Sequence, residues 1–158
     1  VEKGVREALS SGILGGFPVV DVSANLYDGS FHSVDSSEMA FKIAASMAFK
    51  KGMADASPVI LEPVMELDIT VPEEYMGDII GDINSKRGKI ISIVAEKHNQ
   101  VIKASVPQSE TFNYAVDLKS MTQGRGIFSQ KFSHYDDLPG HIAEIIIEAR
   151  KKKQEAHD

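Results

Sequence analysis

The chain has 158 residues, 42% hydrophobic and 25% charged, a balance that excludes wholesale disorder and suffices for one ordinary domain or two small ones. It contains no cysteine, which excludes a disulfide framework, a thiolate metal site and a cysteine nucleophile, and fits a reducing, cytoplasmic setting. The net charge of −6 excludes indiscriminate coating of nucleic acid, so any RNA contact needs local basic clusters.

Val1, Val5, Ala8 and Leu9 recur at helical spacing and Gly12 stops the run. The first residue is Val rather than Met and falls inside this helical pattern, which suggests a partial chain. Gly15 and Gly16 make a loop. In "VVDVSANL" the apolar residues Val20, Val22, Ala24 and Leu26 alternate with Asp21, Ser23 and Asn25, which predicts a half-buried strand. Asp28-Gly29 supplies turn chemistry, because glycine accepts positive φ. A helix follows, with Asp35 as its cap, Glu38 completing a capping box, and Gly52 as its end. Its apolar residues fall in two stripes, so much of its circumference is expected to be buried.

Pro58 and Pro63 mark a junction. Val64 to Val71 reads as a strand with Met65, Leu67, Ile69 and Val71 on one face. Pro72 opens a helix carrying Met76, Ile79, Ile80 and Ile83, with Glu73 and Glu74 suited to its N-terminal dipole. Lys89 to Glu96 and Gln100 to Val106 predict a hairpin turning at His98-Asn99. Pro107 to Thr122 predicts a second helix carrying Phe112, Ala115 and Leu118, and Ile127 to Tyr135 a last strand. The order β-α-β-β-α-β is that of a ferredoxin-like sandwich, an α+β fold. A final helix over about Gly140 to Lys153 presents Ile142, Ile145, Ile146 and Ala149 as a stripe.

Motifs for common chemistries are missing. No phosphate loop, no G-x-S-x-G elbow and no H-E-x-x-H occurs. The five histidines, His32, His98, His134, His141 and His157, are scattered. His141 and Glu144 stand one helical turn apart, but two ligands make a solvated helix face rather than a metal site, and no metal is expected. No apolar run approaches the roughly 20 residues of a membrane span, and no membrane association is expected. The predicted hairpin strands carry no aromatic, which argues against base stacking on the sheet. Lys86, Arg87, Lys89, Arg125 and the run Arg150 to Lys153 are the basic clusters. On composition alone they read first as solvated helix ends, where cations suit the C-terminal dipole.

Three long stretches, "LYDGSFHSVDSSEMAFKIAASMAFKKG", "PVILEPVMELDITVPEEYMGDIIGDINSKRGKI" and "DLKSMTQGRGIFSQKFSHYDDLP", occur in that order. In them the chain resembles the C-terminal part of bacterial elongation factor G, over almost its whole length. The resemblance implies that residues 1–57 are the later part of domain IV, with a left-handed βαβ crossover. Residues 58–139 would be the ferredoxin-like domain V, and 140–158 a C-terminal helix and tail docking toward domain IV. It further implies ribosome binding in GTP-dependent tRNA–mRNA translocation, with a domain IV tip in the decoding centre. The tip pattern is matched at Tyr27, Asp28, Gly29, Ser30, Phe31 and His32, and His32 would act by contact rather than by catalysis. Lys86, Arg87, Lys89 and Arg125 would be the candidates for ribosomal RNA. This chain would not itself be an enzyme and would need no cofactor. GTP and Mg would belong to a GTPase domain in the missing N-terminal domains, which are partners of this chain in the parent polypeptide. An incomplete domain IV is expected to expose the helix that opens at Val1 and part of the strand edge around Val20 to Leu26, and so to self-associate or leave this region partly disordered. Two alternatives stand beside this reading: a paralogue specialised for ribosome recycling or antibiotic resistance, and a free-standing ferredoxin-like domain that binds a metabolite.

Overall fold

The computed structural model describes residues 1–155. The chain forms two compact units. One comprises Val1–Ile60 together with the chain from Leu138 onward, and the other is Leu61–Asp137.

The Leu61–Asp137 unit holds a four-stranded antiparallel sheet in the order β2-β3-β1-β4. Its elements run β1 (Leu61–Pro72), a 3₁₀ turn Glu73–Tyr75, α3 (Met76–Ser85), β2 (Lys89–Glu96), β3 (Asn99–Pro107), a second 3₁₀ turn Gln108–Glu110, α4 (Tyr114–Met121) and β4 (Ile127–Asp137). β1 is central because its alternation buries Met65, Leu67, Ile69 and Val71 on one face. Ile102, Ala104 and Val106 of β3 lie beside them, and Ile79, Ile83, Tyr114 and Leu118 cover them from α3 and α4. Pro63 is tolerated in β1 because it pairs only with Tyr135 of β4, while β3 pairing starts at Val64.

The hairpin closes at Lys97-His98, with Glu96 opposite Asn99 and Lys97 at φ 57, one residue earlier than the sequence suggests. The predicted helix over 107–122 is broken after the 3₁₀ turn. The break changes the helical phase, so Phe112 is exposed while Tyr114, Leu118 and the half-buried Met121 face the sheet at i, i+4, i+7. Tyr114 meets Phe128 edge to face, with centroids 5.0 Å apart.

The other unit contains α1 (Glu2–Ser11), α2 (Glu38–Asp55) and α5 (Gly140–Glu155). Among the described residues it contains no strand. The strand predicted at Val20 to Leu26 does not form: among the described residues its own unit supplies no second strand to pair with it. The left-handed crossover therefore has no strand to span within these residues. Val20, Val22 and Leu26 are exposed.

α1 lies on α2 at close range. A Cβ on Gly4 would fall 2.1 Å from the Lys42 carbonyl oxygen, Ala8 and Ala45 are buried, and Lys42 pairs with Glu7 at 2.5 Å and Lys3 with Glu38 at 2.6 Å. Gly12 ends α1 at φ 69, its N–H donating to the Ala8 carbonyl. α2 runs through Gly52 to Asp55. On α5, Ile142, Ala143, Ile146 and Ile147 are half-buried, whereas Ile145 and Ala149 are exposed, so the packed stripe is rotated from the predicted one. Arg150 Nη1 donates to the Gly15 carbonyl at 3.1 Å, and its guanidinium stacks 3.7 Å from the Phe17 ring centre.

Candidate nucleic-acid interface

Tyr27, Asp28, Gly29, Ser30, Phe31 and His32 all lie in an exposed, irregular loop leading into α2. The loop is held from its C-terminal side. The Phe31 ring lies parallel to that of Phe41 on α2, 6° between planes and 6.4 Å between centroids. The His32 N–H donates to Ser36 Oγ at 2.8 Å, and the Ser36 N–H donates back to the His32 carbonyl at 3.0 Å. Ser37, not Asp35, caps the helix: its backbone is extended and its Oγ accepts from the Ala40 N–H at 3.1 Å. Asp35 lies two residues too early, and its carboxylate accepts from Ser36 Oγ instead. Glu38 thus occupies the first helical position rather than the third.

On the N-terminal side, the Gly29 N–H donates to Asp28 Oδ1 at 2.7 Å. Gly29 is not left-handed; a Cβ there would meet nothing within 4 Å, so the residue serves openness rather than an unusual φ. The His32 imidazole makes no hydrogen bond among the described residues. It presents ring nitrogens to solvent above an anchored backbone.

Lys86, Arg87, Lys89 and Arg125 do not form one patch. Lys86 closes α3 and bridges Asp82 at 2.8 Å and Asp117 of α4 at 3.1 Å, its side chain only 17% exposed. The hydrogen bond to Asp82 raises its pKa above 10.5, against a desolvation that lowers it. Arg87, held at φ 57, forks onto both oxygens of Glu62 at 2.6 and 2.9 Å and also reaches Glu110 at 3.4 Å and Ser109. These two charges are committed to carboxylates inside the fold. Arg125 is bound to Glu74 at 2.7 Å, hydrogen-bonded to the Tyr75 hydroxyl and stacked on the Tyr75 ring at 4.7 Å. Its partners stand at the N-terminal end of α3, Lys86 and Arg87 at the C-terminal end, about 15 Å apart at 1.5 Å per residue. Lys89 is exposed at the start of β2 and makes no ion pair among the described residues.

Sequence reasoning missed the carboxylates Glu62, Glu110 and Asp117, which come from elements distant in the chain. The Asp82–Lys86 spacing of four on a helix was the one available signal. It also missed Tyr114, whose hydroxyl is buried without a partner and whose pKa is raised by burial and then by Asp82 and Asp117. His141 and Glu144 are exposed on α5, His98 lies in the β2–β3 turn, and Ser133 Oγ contacts His134 Nδ1 at 2.9 Å. His157 lies outside the described residues. Among the described residues, no three metal-ligating side chains gather and no helix is long and apolar enough to cross a membrane.

Comparison with known proteins agrees with the motif reading. Residues 1–57 match the family described as elongation factor G, domain IV, and residues 59–146 match the family described as elongation factor G C-terminus. A crystal structure of a protein from Thermus thermophilus superposes with a TM-score of 0.83 at 44% identity, covering 96% of this chain and 23% of that one. The present chain thus spans about a quarter of the length of the protein it matches. It belongs to the elongation factor G family, of which it carries domain IV sequence followed by the C-terminal region.

Proposed function

We propose that this chain is the ribosome-binding module of an elongation factor that promotes GTP-dependent tRNA–mRNA translocation, with Asp28 to His32 as the tip that enters the decoding centre. One observation carries the reading. The loop is exposed on its outer side, yet braced from behind by the Phe31–Phe41 stack, the His32–Ser36 bonds and the Ser37 cap. A contact element that must hold two paired nucleic acids in register needs both properties.

In this reading His32 and Ser30 donate to backbone oxygens of the tRNA–mRNA pair, and the open space around Gly29 lets the loop backbone approach closely. Asp28 would repel phosphates, and its bond to the Gly29 N–H turns the carboxylate back onto the loop. On the second unit, Lys89, which makes no ion pair among the described residues, is the better placed candidate for ribosomal RNA, since Lys86, Arg87 and Arg125 each already face a carboxylate. GTP and its magnesium would be handled by other parts of the longer polypeptide, and the setting would be the cytoplasm.

The test follows single-round mRNA movement on programmed ribosomes with the full-length protein and its His32→Ala variant. The reading expects movement to slow at least several-fold while ribosome-stimulated GTP hydrolysis persists. Unchanged movement in the variant would remove His32 from the tip's function. GTP hydrolysis without movement in the unmutated protein would favour a specialised paralogue.

A further inference from the structure

We infer that Asp28-Gly29 is a site of spontaneous covalent modification, at which the main chain rearranges to an isoaspartyl linkage. The sequence contains one Asp-Gly pair, and it falls in the exposed, irregular loop before α2. Ring closure at an aspartyl residue needs three conditions: a following amide with no side chain in the way, a carboxyl group lying over that amide, and a backbone free to turn. All three meet here. Nothing lies within 4 Å of where a Gly29 Cβ would be, Asp28 Oδ1 is 2.7 Å from the Gly29 nitrogen, and no helix or strand holds either residue.

The chemistry is an isomerisation that needs no co-reactant but water. The Gly29 nitrogen loses its proton and bonds to Asp28 Cγ. The C–O bond of the protonated carboxyl group breaks, and its oxygen leaves as water, giving a five-membered succinimide. Water then adds back at one of two carbonyl carbons. Addition at Cγ breaks the new C–N bond and restores aspartate. Addition at the main-chain carbonyl breaks the original peptide C–N bond and leaves Gly29 joined through Cγ. Overall composition is unchanged, but the main chain is one methylene longer and the free carboxylate sits directly on Cα.

Other candidates in the chain are held back. At Asp35-Ser36 the Ser36 amide is engaged by the His32 carbonyl at 3.0 Å, and Asn84-Ser85 lies within α3. Of these three pairs only Asp28-Gly29 meets every condition, and it adjoins the segment that carries Ser30, Phe31 and His32. Its chemistry stands apart from ribosome binding. Its consequence, displacement of the tip relative to the Phe41 anchor, rests on the reading of this loop as the contact element.

The experiment ages the intact protein at neutral pH and warm temperature. Residue 28 is then followed by peptide mapping with fragmentation that separates isoaspartate from aspartate. An isoaspartate-specific carboxyl methyltransferase with radiolabelled methyl donor counts total sites. Isoaspartate should accumulate at residue 28 several-fold faster than at residues 35 or 84. It should be preceded by a species lighter by one water, and be lost in Asp28→Glu, where the ring would be six-membered. Gly29→Val, whose side chain has room but shields the amide, should slow it several-fold. Equal accumulation at residues 35 or 84, or none at residue 28 while a free Leu26–Phe31 peptide rearranges, would overturn the inference.

Discussion

The ammonium of Lys86, fixed between Asp82 and Asp117, ties α3 to α4 with a group that looks in the sequence like a nucleic-acid ligand. Its pKa is raised in the folded chain, so the pair adds stability in full below the unfolded value of 10.5. That contribution is lost as pH rises through the folded value. Lys86→Met should cost roughly 2 kcal/mol at neutral pH, between the worth of exposed and fully buried pairs. Urea melts of both proteins should begin to converge as pH rises past 10.5 and should coincide only above the raised folded value, where the folded lysine also loses its proton. A gap that persists there would assign the loss to packing of the lysine stem. Arg87 shows the same limit of sequence reading: its identity was legible, but Glu62 and Glu110 stand 25 and 23 residues away, and the chain must fold before they meet.

The helices show where local pattern suffices and where it fails. α3 was legible because Ile79 and Ile83 repeat on one face and Pro72 precedes them. The end of α2 was misread at Gly52, since one glycine costs a helix only about 1 kcal/mol and flanking residues can carry it. Gly4 gives no local signal of its role, which is set by the Lys42 carbonyl on another helix. The two glycines should therefore respond oppositely to alanine. Gly52→Ala has open space and should stabilise by about 0.5–1 kcal/mol. Gly4→Ala meets backbone that cannot move aside and should destabilise by about 1–3 kcal/mol, despite the gain in helix propensity. Thermal melts of both variants check the contrast, and equal shifts would refute the close α1–α2 packing. Strand prediction at Val20 to Leu26 failed for a related reason: alternation describes a face, but pairing comes from another strand.

Across the molecule, protection should follow the two units. The β1 amides from Met65 to Thr70 lie between two paired strands over a buried face. They should exchange with solvent only through global opening of that unit, while Val20 to Leu26 should exchange within the first time points. Hydrogen exchange read by mass spectrometry separates these cases. Slow exchange at 20–26 would mean that this segment pairs in solution, for instance through self-association. The β-α-β-β-α-β order was legible because strands and helices of this unit alternate within one continuous stretch. The grouping of α5 with α1 and α2 was visible only through the family resemblance, since Arg150 and its partner carbonyl on Gly15 are separated by 135 residues.

That grouping has a consequence for synthesis. One unit is continuous from Leu61 to Asp137, and the other is interrupted by it. Leu61 and Asp137 are paired neighbours, and the Leu138 N–H donates to the Ile60 carbonyl at 2.8 Å. As the chain emerges vectorially from the ribosome, α1 and α2 appear before the sheet unit but must wait for α5, which follows it. The sheet unit appears later, yet has all its residues once Asp137 is out. Of the two units, the one begun earlier is thus completed later, and its exposed apolar side chains must survive the interval in which the inserted unit folds.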